Sequence, residues 1–292
     1  MKRTSRLVVG LVGALGLVAA ACGSDNSGGS AAATVAPATT AAVTTVAPTT
    51  AAAPTTTIAP TTTTAALQGN ITVFAAASLT DSFNEIGAAF TQANPQAKAT
   101  FSFDASSALV QQINQGAPAD LFASADQTNM DKLTKAGNNG TAPTVFATNL
   151  LGVIVAPGNP KGITGVQDLA KSDLKVVLCA PGVPCGAYAK QITESAGVTV
   201  NPASLEQNVK GVVTKVTAGE ADAGIVYVTD IAAAGSKAAG VDIPKNINVV
   251  AQYPIASTKT STNAAVDQGF INFVLGPQGQ AILKKYGFLP PS

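Results

Sequence analysis

Ile71-Thr72-Val73-Phe74-Ala75-Ala76, followed by Ala77-Ser78-Leu79-Thr80-Asp81, is the stretch that decides the fold. The first six residues are almost wholly apolar, as a strand buried on both faces requires. Ser78 to Asp81 then opens a helical pattern carried by Phe83, Ile86 and Phe90. The same sentence is repeated downstream. Lys98 to Phe103 reads as a strand, and Ser106-Ser107 starts a helix with Leu109, Val110 and Ile113 on one face, stopped by Gly116. Ala119 to Ala123 reads as a strand before a helix around Met130 and Leu133. Further strands are expected at Leu150 to Val155, Lys175 to Cys179 and Ile225 to Val228. Helices are expected at Ala187 to Ala196, Val209 to Ala218 and Ala264 to Tyr286. Strands alternating with helices predict an α/β chain with mainly parallel sheets.

Outside this region the chain changes character. Lys2, Arg3 and Arg6 precede an uncharged apolar run from Leu7 to Ala21. At about 15 residues the run is short for a membrane-spanning helix and suits an export signal. Ala19-Ala20-Ala21 leads into Cys22, which resembles a bacterial lipoprotein signal: cleavage leaves Cys22 first in the chain and lipid is attached to its sulfur. Ala19 stands where that signal prefers leucine, and an ordinary secretory signal with a chance cysteine is the alternative. Residues 23–68 repeat an Ala-Pro-Thr-Thr unit, as in Ala47-Pro48-Thr49-Thr50 and Ala53-Pro54-Thr55-Thr56. Recurrent proline and the lack of periodicity predict a disordered spacer, ~140 Å long if fully extended and ~40 Å as a coil. The organisation is therefore a signal over 1–21, a lipidated Cys22 with linker over 22–68, and a folded domain over 69–292.

Composition removes most catalytic chemistry. There is no histidine, so Ser-His and Cys-His devices and most zinc and haem sites are excluded. Three cysteines, Cys22, Cys179 and Cys185, cannot make a four-thiolate site in one chain. A net charge of +1 from 17 Lys+Arg and 16 Asp+Glu argues against nucleic acid as a partner. What remains is carboxylate chemistry, a carboxylate-bound cation, or binding without reaction. Asp104, Asp120 and Asp126 cluster in sequence, but no base or nucleophile motif supports them and they read as turn and cap residues. Met130 and Tyr188 read as core residues on helices.

Polar residues recur where strands end and helices begin. In open α/β sheets that edge binds ligands, and a helix N-terminus there offers unpaired N–H groups and partial positive charge to an anion. Ser78, Ser106, Cys185-Gly186 and Val209 occupy such places. Any one serine alone is more simply an N-cap.

Read in order, these segments resemble the periplasmic molybdate-binding proteins of ABC transporters. The resemblance rests on Ile71–Leu79, Phe103-Asp104-Ala105-Ser106-Ser107-Ala108-Leu109, and the long run Gly116 to Asp126. It continues through Val183 to Lys190, Gly224-Ile225-Val226-Tyr227, Gly276-Pro277-Gln278 and Tyr286-Gly287-Phe288. It implies a two-lobed periplasmic-binding-protein (type II) fold with a ligand cleft between lobes, lobe 1 at about 69–149 and 253–292 and lobe 2 at about 150–252. It implies a monomeric, lipid-anchored extracytoplasmic receptor that delivers molybdate or tungstate to the membrane permease of an ABC importer. No catalytic residue and no cofactor is expected, and metal enters only as the oxyanion. Ser78 and Ser106, with Ser107 the adjacent possibility, match the family's hydroxyl and N–H donors. Cys185 and Val209 match its backbone donors and Tyr227 its tyrosine hydroxyl. Cys185 stands where the family often has alanine.

The chemistry of such a guest is consistent with those residues. Molybdate and tungstate are tetrahedral dianions that only accept hydrogen bonds, so neutral, aimed donors suffice. A receptor for sulfate or phosphate is the alternative within the binding class, and a carboxylate-based hydrolase the alternative outside it. Cys179 and Cys185 bracket a short loop in an oxidising compartment. A disulfide is expected there, contributing roughly 2–2.5 kcal/mol and stiffening the loop that presents Cys185; two free thiols or a redox switch are the other readings.

Overall fold

The computed structural model describes residues 66–291. Cys22, the signal and most of the linker lie outside the described residues. The chain opens with β1 (Gly69–Ala76), a short 3-10 turn (Ala77–Leu79) and α1 (Thr80–Ala93). Then follow β2 (Ala97–Asp104), α2 (Ser106–Asn114), β3 (Leu121–Ala123), α3 (Gln127–Lys135) and the long β4 (Thr144–Val155). Next come β5 (Val176–Cys179), α4 (Pro184–Ser195), β6 (Ser204–Glu206), α5 (Val209–Thr217), β7 (Ala223–Tyr227), α6 (Val228–Ala234) and β8 (Ala239–Asp242). The last elements are β9 (Val250–Ser257), α7 (Ala264–Leu275) and α8 (Pro277–Lys285).

The strands run in the order β2-β1-β3-β9-β4-β7-β5-β6, with β8 also on β4. Two parallel groups carry the helical crossovers: β2-β1-β3 and β6-β5-β7. The long strands β9 and β4 join them in antiparallel pairing. β4 changes partner midway: Thr144 to Leu150 pair with β9, whereas Leu151 to Val155 pair with β7.

The apolar run of β1 is explained by burial on both faces. Ile71, Val73 and Ala75 join the large core with Phe83, Ile86 and Phe90 of α1. Phe74 turns the other way, into a second core with Leu109, Val110, Ile113 and Met130 from α2 and α3. Aromatic edges lock α1 to its neighbours, with Phe90 and Phe270 ring centroids 5.2 Å apart. Gly87 lets α1 lie close on β2, because a Cβ there would lie 2.5 Å from the Phe101 ring.

The elements differ from the sequence expectation at several places. The helix expected over Ala264 to Tyr286 is two helices, α7 and α8, broken where Gly276 is extended (φ −77°, ψ 170°) and Pro277 takes the first position of α8. Proline is pre-shaped for a first helical turn and cannot donate within a helix, so it ends one and starts the next. Val228, expected in a strand, is the first residue of α6; strand β7 stops at Tyr227. The strand expected from Leu150 begins at Thr144, while β6, β8 and β9 had no expectation. β6 and β8 are only 3 and 4 residues long and contain no fully buried residue, so they lack the apolar signature of a buried strand.

Candidate functional site

The ends of β1, β2, β5, β6 and β7 and the helix starts that follow them surround one small cavity. Ser78, Ser106, Cys185, Val209 and Tyr227 all line it. Ser107 does not; it lies on a separate surface groove beside Lys132. The five residues are contributed by both parallel groups, and each is buried.

Each donor arrives by a local rule. Ser78 sits in the 3-10 turn after β1, and its Oγ shares a 3.0 Å hydrogen bond with the Tyr253 hydroxyl. Ser106 is the first residue of α2; Ala105 holds the N-cap position and makes no side-chain cap. The Ser106 Oγ instead accepts from the Ala125 N–H at 2.9 Å. Neither serine therefore caps its own helix, although capping is the simplest role for a lone serine. Cys185 lies in the first turn of α4 behind Pro184, and that turn also has no side-chain cap. Cys179 at the end of β5 is disulfide-bonded to Cys185. Gly186 lets the turn press onto the strand end: a Cβ there would sit 2.6 Å from the Cys179 carbonyl oxygen. Val209 opens α5, whose N-cap Asn208 accepts from the Gly211 N–H at 3.2 Å.

First-turn N–H groups have no intrahelical acceptor. The starts of α2, α4 and α5 thus bring unpaired donors and partial positive charge to one place. None of the lining residues carries a formal charge. The Tyr227 hydroxyl is buried in the cavity wall without a hydrogen-bond partner. Burial holds its proton on well above the usual tyrosine range, as it does for Tyr253. The cavity is therefore a neutral, donor-rich chamber that fits a small anion.

Asp104, Asp120 and Asp126 do not line the cavity and do structural work. Asp104 Oδ1 accepts from the Ala105 N–H at 2.8 Å, and Asp120 Oδ2 from the Thr72 N–H at 2.7 Å. Asp126 caps α3 by accepting from the Asn129 N–H at 2.9 Å. Met130 is fully buried. Tyr188 is half-buried, and its hydroxyl donates to the Ala125 carbonyl at 3.3 Å. Two residues at the cavity had no expectation, Asn208 in the lining and Tyr253 behind Ser78. Asn208 had a readable signal, an asparagine immediately before a helical pattern. Tyr253 lies on β9 with no local signal.

Residues 71–289 match a family model described as bacterial extracellular solute-binding protein. The molybdate-binding protein ModA of Mycobacterium tuberculosis is 43% identical over 222 residues, covering 76% of this chain and 85% of the relative. A Bacillus subtilis relative named as an ABC transporter substrate-binding lipoprotein is 30% identical over 236 residues, covering 75% of this chain and 85% of its own length. In fold, the chain superposes on the periplasmic molybdate-binding protein of Azotobacter vinelandii with a TM-score of 0.66 at 23% identity, covering 76% of this chain and all of the other.

Proposed function

The chain belongs to the bacterial extracellular solute-binding proteins, and from that membership we propose that it captures molybdate or tungstate outside the cytoplasm and hands it to the permease of an ABC importer. The observation that carries the reading is the uncharged cavity where five donor residues meet, with the buried Tyr227 hydroxyl left unpartnered. A buried polar group without a partner is costly, and an acceptor-only guest would satisfy it. Helix N-termini supply the field for a dianion without a lysine or arginine. Hydrogen phosphate pairs less completely, because its proton finds acceptors only in the serine and tyrosine hydroxyls, which are needed as donors. Sulfate has the right shape but is smaller, and cannot touch every donor of a cavity sized for molybdate. Ser78, Ser106, Cys185, Val209 and Tyr227 are the proposed ligands.

Two lobes, 69–149 with 253–292 and 150–252, are proposed to close on the guest. The change of partner along β4 at Leu150 and Leu151 supports a boundary there. Lipid on Cys22 would hold this monomeric receptor at the membrane, with residues 23–68 as the tether. The name of the Bacillus relative supports that attachment.

Calorimetric titration of the protein with molybdate, tungstate, sulfate and phosphate tests the function. Molybdate and tungstate should bind at least a hundredfold more tightly than sulfate or phosphate. Equal affinity for sulfate, or no heat with any of the four, would overturn the proposal.

A further inference from the structure

We propose that the residues flanking Val209, namely Asn208 and Lys210, are positioning residues that clamp the start of α5 onto the opposite lobe and so keep the bound oxyanion from leaving. The inference rests on the two-lobed receptor reading above and goes beyond its five ligands.

Asn208 does two things at once. Its Oδ1 caps α5, and its Nδ2 donates to Asp104 Oδ1 at 2.9 Å. Asp104 ends β2 and also accepts from Ala105 N–H, one residue before the ligand candidate Ser106. One carboxylate oxygen thus ties together the starts of α2 and α5. Lys210 reaches the other way. Its ammonium lies 3.2 Å from Asp81 Oδ2 on α1 and 3.2 Å from Asp230 Oδ1 on α6. Asn208, the extended N-cap, and Lys210, in the first turn, flank Val209 in the chain and reach different partners.

The two carboxylates around Lys210 have different duties. Asp230 belongs to the same lobe as Lys210 and is 1% exposed, so it fixes the ammonium at the cleft whether the lobes are together or apart. Asp81 belongs to the other lobe and is half exposed, so water replaces the ammonium when the lobes part. The Asn208–Asp104 and Lys210–Asp81 contacts therefore exist only with the lobes together. A contact made in one state and not the other shifts the equilibrium between them. Neither contact reads the guest, so the clamp should slow its release without altering which oxyanion is chosen.

The test is stopped-flow measurement of molybdate release, followed through tyrosine fluorescence, on wild type and two variants. Asn208→Ser keeps a capping oxygen but cannot donate to Asp104; release should quicken about ten- to a hundredfold, as for loss of a hydrogen bond to a charged group. Asp81→Asn removes the exposed partner of Lys210 and should quicken release about two- to fivefold. Wild-type release should speed up with added salt, and Asp81→Asn should lose part of that dependence. In Asp81→Asn, which leaves the cavity lining intact, association rates, the ligand-free melting temperature and the molybdate-to-sulfate preference should stay at wild-type values. Wild-type release rates in both variants, with molybdate still bound, would overturn the clamp and leave the receptor reading standing. A wild type that binds no oxyanion would overturn the receptor reading itself, and the clamp with it.

Discussion

Replacing Tyr227 by phenylalanine separates a ligand hydroxyl from a structural one, because each role lowers a different measurement. The ring would stay in place, packed edge-on against Tyr253 and Tyr188 with centroids 5.8 and 6.4 Å away. Only the oxygen is removed. Among the described residues that oxygen has no protein hydrogen-bond partner, so its loss breaks no bond within the fold. The ligand-free variant should therefore melt no lower than wild type, whereas a lost structural hydrogen bond of about 1 kcal/mol would lower the melting temperature of a domain of this size by about 2–4 °C. With an oxyanion bound, the same deletion removes a hydrogen bond to a charged group, worth about 1.5–3 kcal/mol, so molybdate affinity should fall roughly 10- to 150-fold. Calorimetry and a thermal melt on the one variant give both numbers. Unchanged affinity would take Tyr227 out of the site, and a fall in the ligand-free melting temperature would mean the hydroxyl is structural.

Three further outcomes are expected. Replacing both Cys179 and Cys185 by serine should lower the melting temperature by about 4–8 °C, from ~2 kcal/mol of chain entropy, and weaken molybdate binding, because Cys185 loses its brace on β5; complete alkylation of both thiols in the exported protein without prior reduction would contradict the bond. Burial pushes Asp267 and Asp230 up to about 6, so the fold holds protons that the unfolded chain releases near pH 4; their stabilisation is present below that value and lost as pH rises through 6. Asp267→Asn, which removes a buried carboxylate with an unpartnered Oδ1, should therefore raise the melting temperature at pH 7.5 and flatten its decline between pH 5 and 7.5; an unaltered profile would refute the assignment. Cys22→Ala should move the protein from the detergent phase to the aqueous phase in phase partition, and identical partition of wild type and variant would remove the anchor.

The fold was legible wherever burial imposed a pattern. β1 and β7 are buried along most of their length, and the helices α1, α2 and α5 each bury one stripe. It was illegible where the pattern is made by partners distant in sequence. β9 alternates exposed and buried only at Val250 to Tyr253 and is then continuously buried through Ser257. Its identity as a strand follows from pairing with β3 and β4, which no local window contains. The break between α7 and α8 did carry a local signal, Gly276-Pro277, that the long apolar run around it obscured. Val228 shows the converse limit: an apolar residue after a buried strand has the same composition whether it extends the strand or starts a helix.

The site was harder to see than the fold because most of its proposed donors are main-chain atoms. Cys185 and Val209 spend their side chains in the core, 2% and 3% exposed, and can offer the cavity only N–H groups. A core side chain carries no mark that its amide is unpaired. Composition excluded catalysis by histidine, and position at strand ends singled out Ser78, Ser106, Cys185 and Val209, but the donor role of each, and Tyr227 altogether, entered through resemblance. The same division of labour makes a prediction about tolerance. Substitutions at Val209 that keep its buried volume should be mild, because the N–H is common to every residue except proline. Val209→Ile should retain molybdate affinity within about threefold, whereas Val209→Pro deletes the donor while proline remains acceptable at the first position of a helix. If Val209→Pro folds, melts normally and binds molybdate as wild type does, the backbone of α5 is not part of the site.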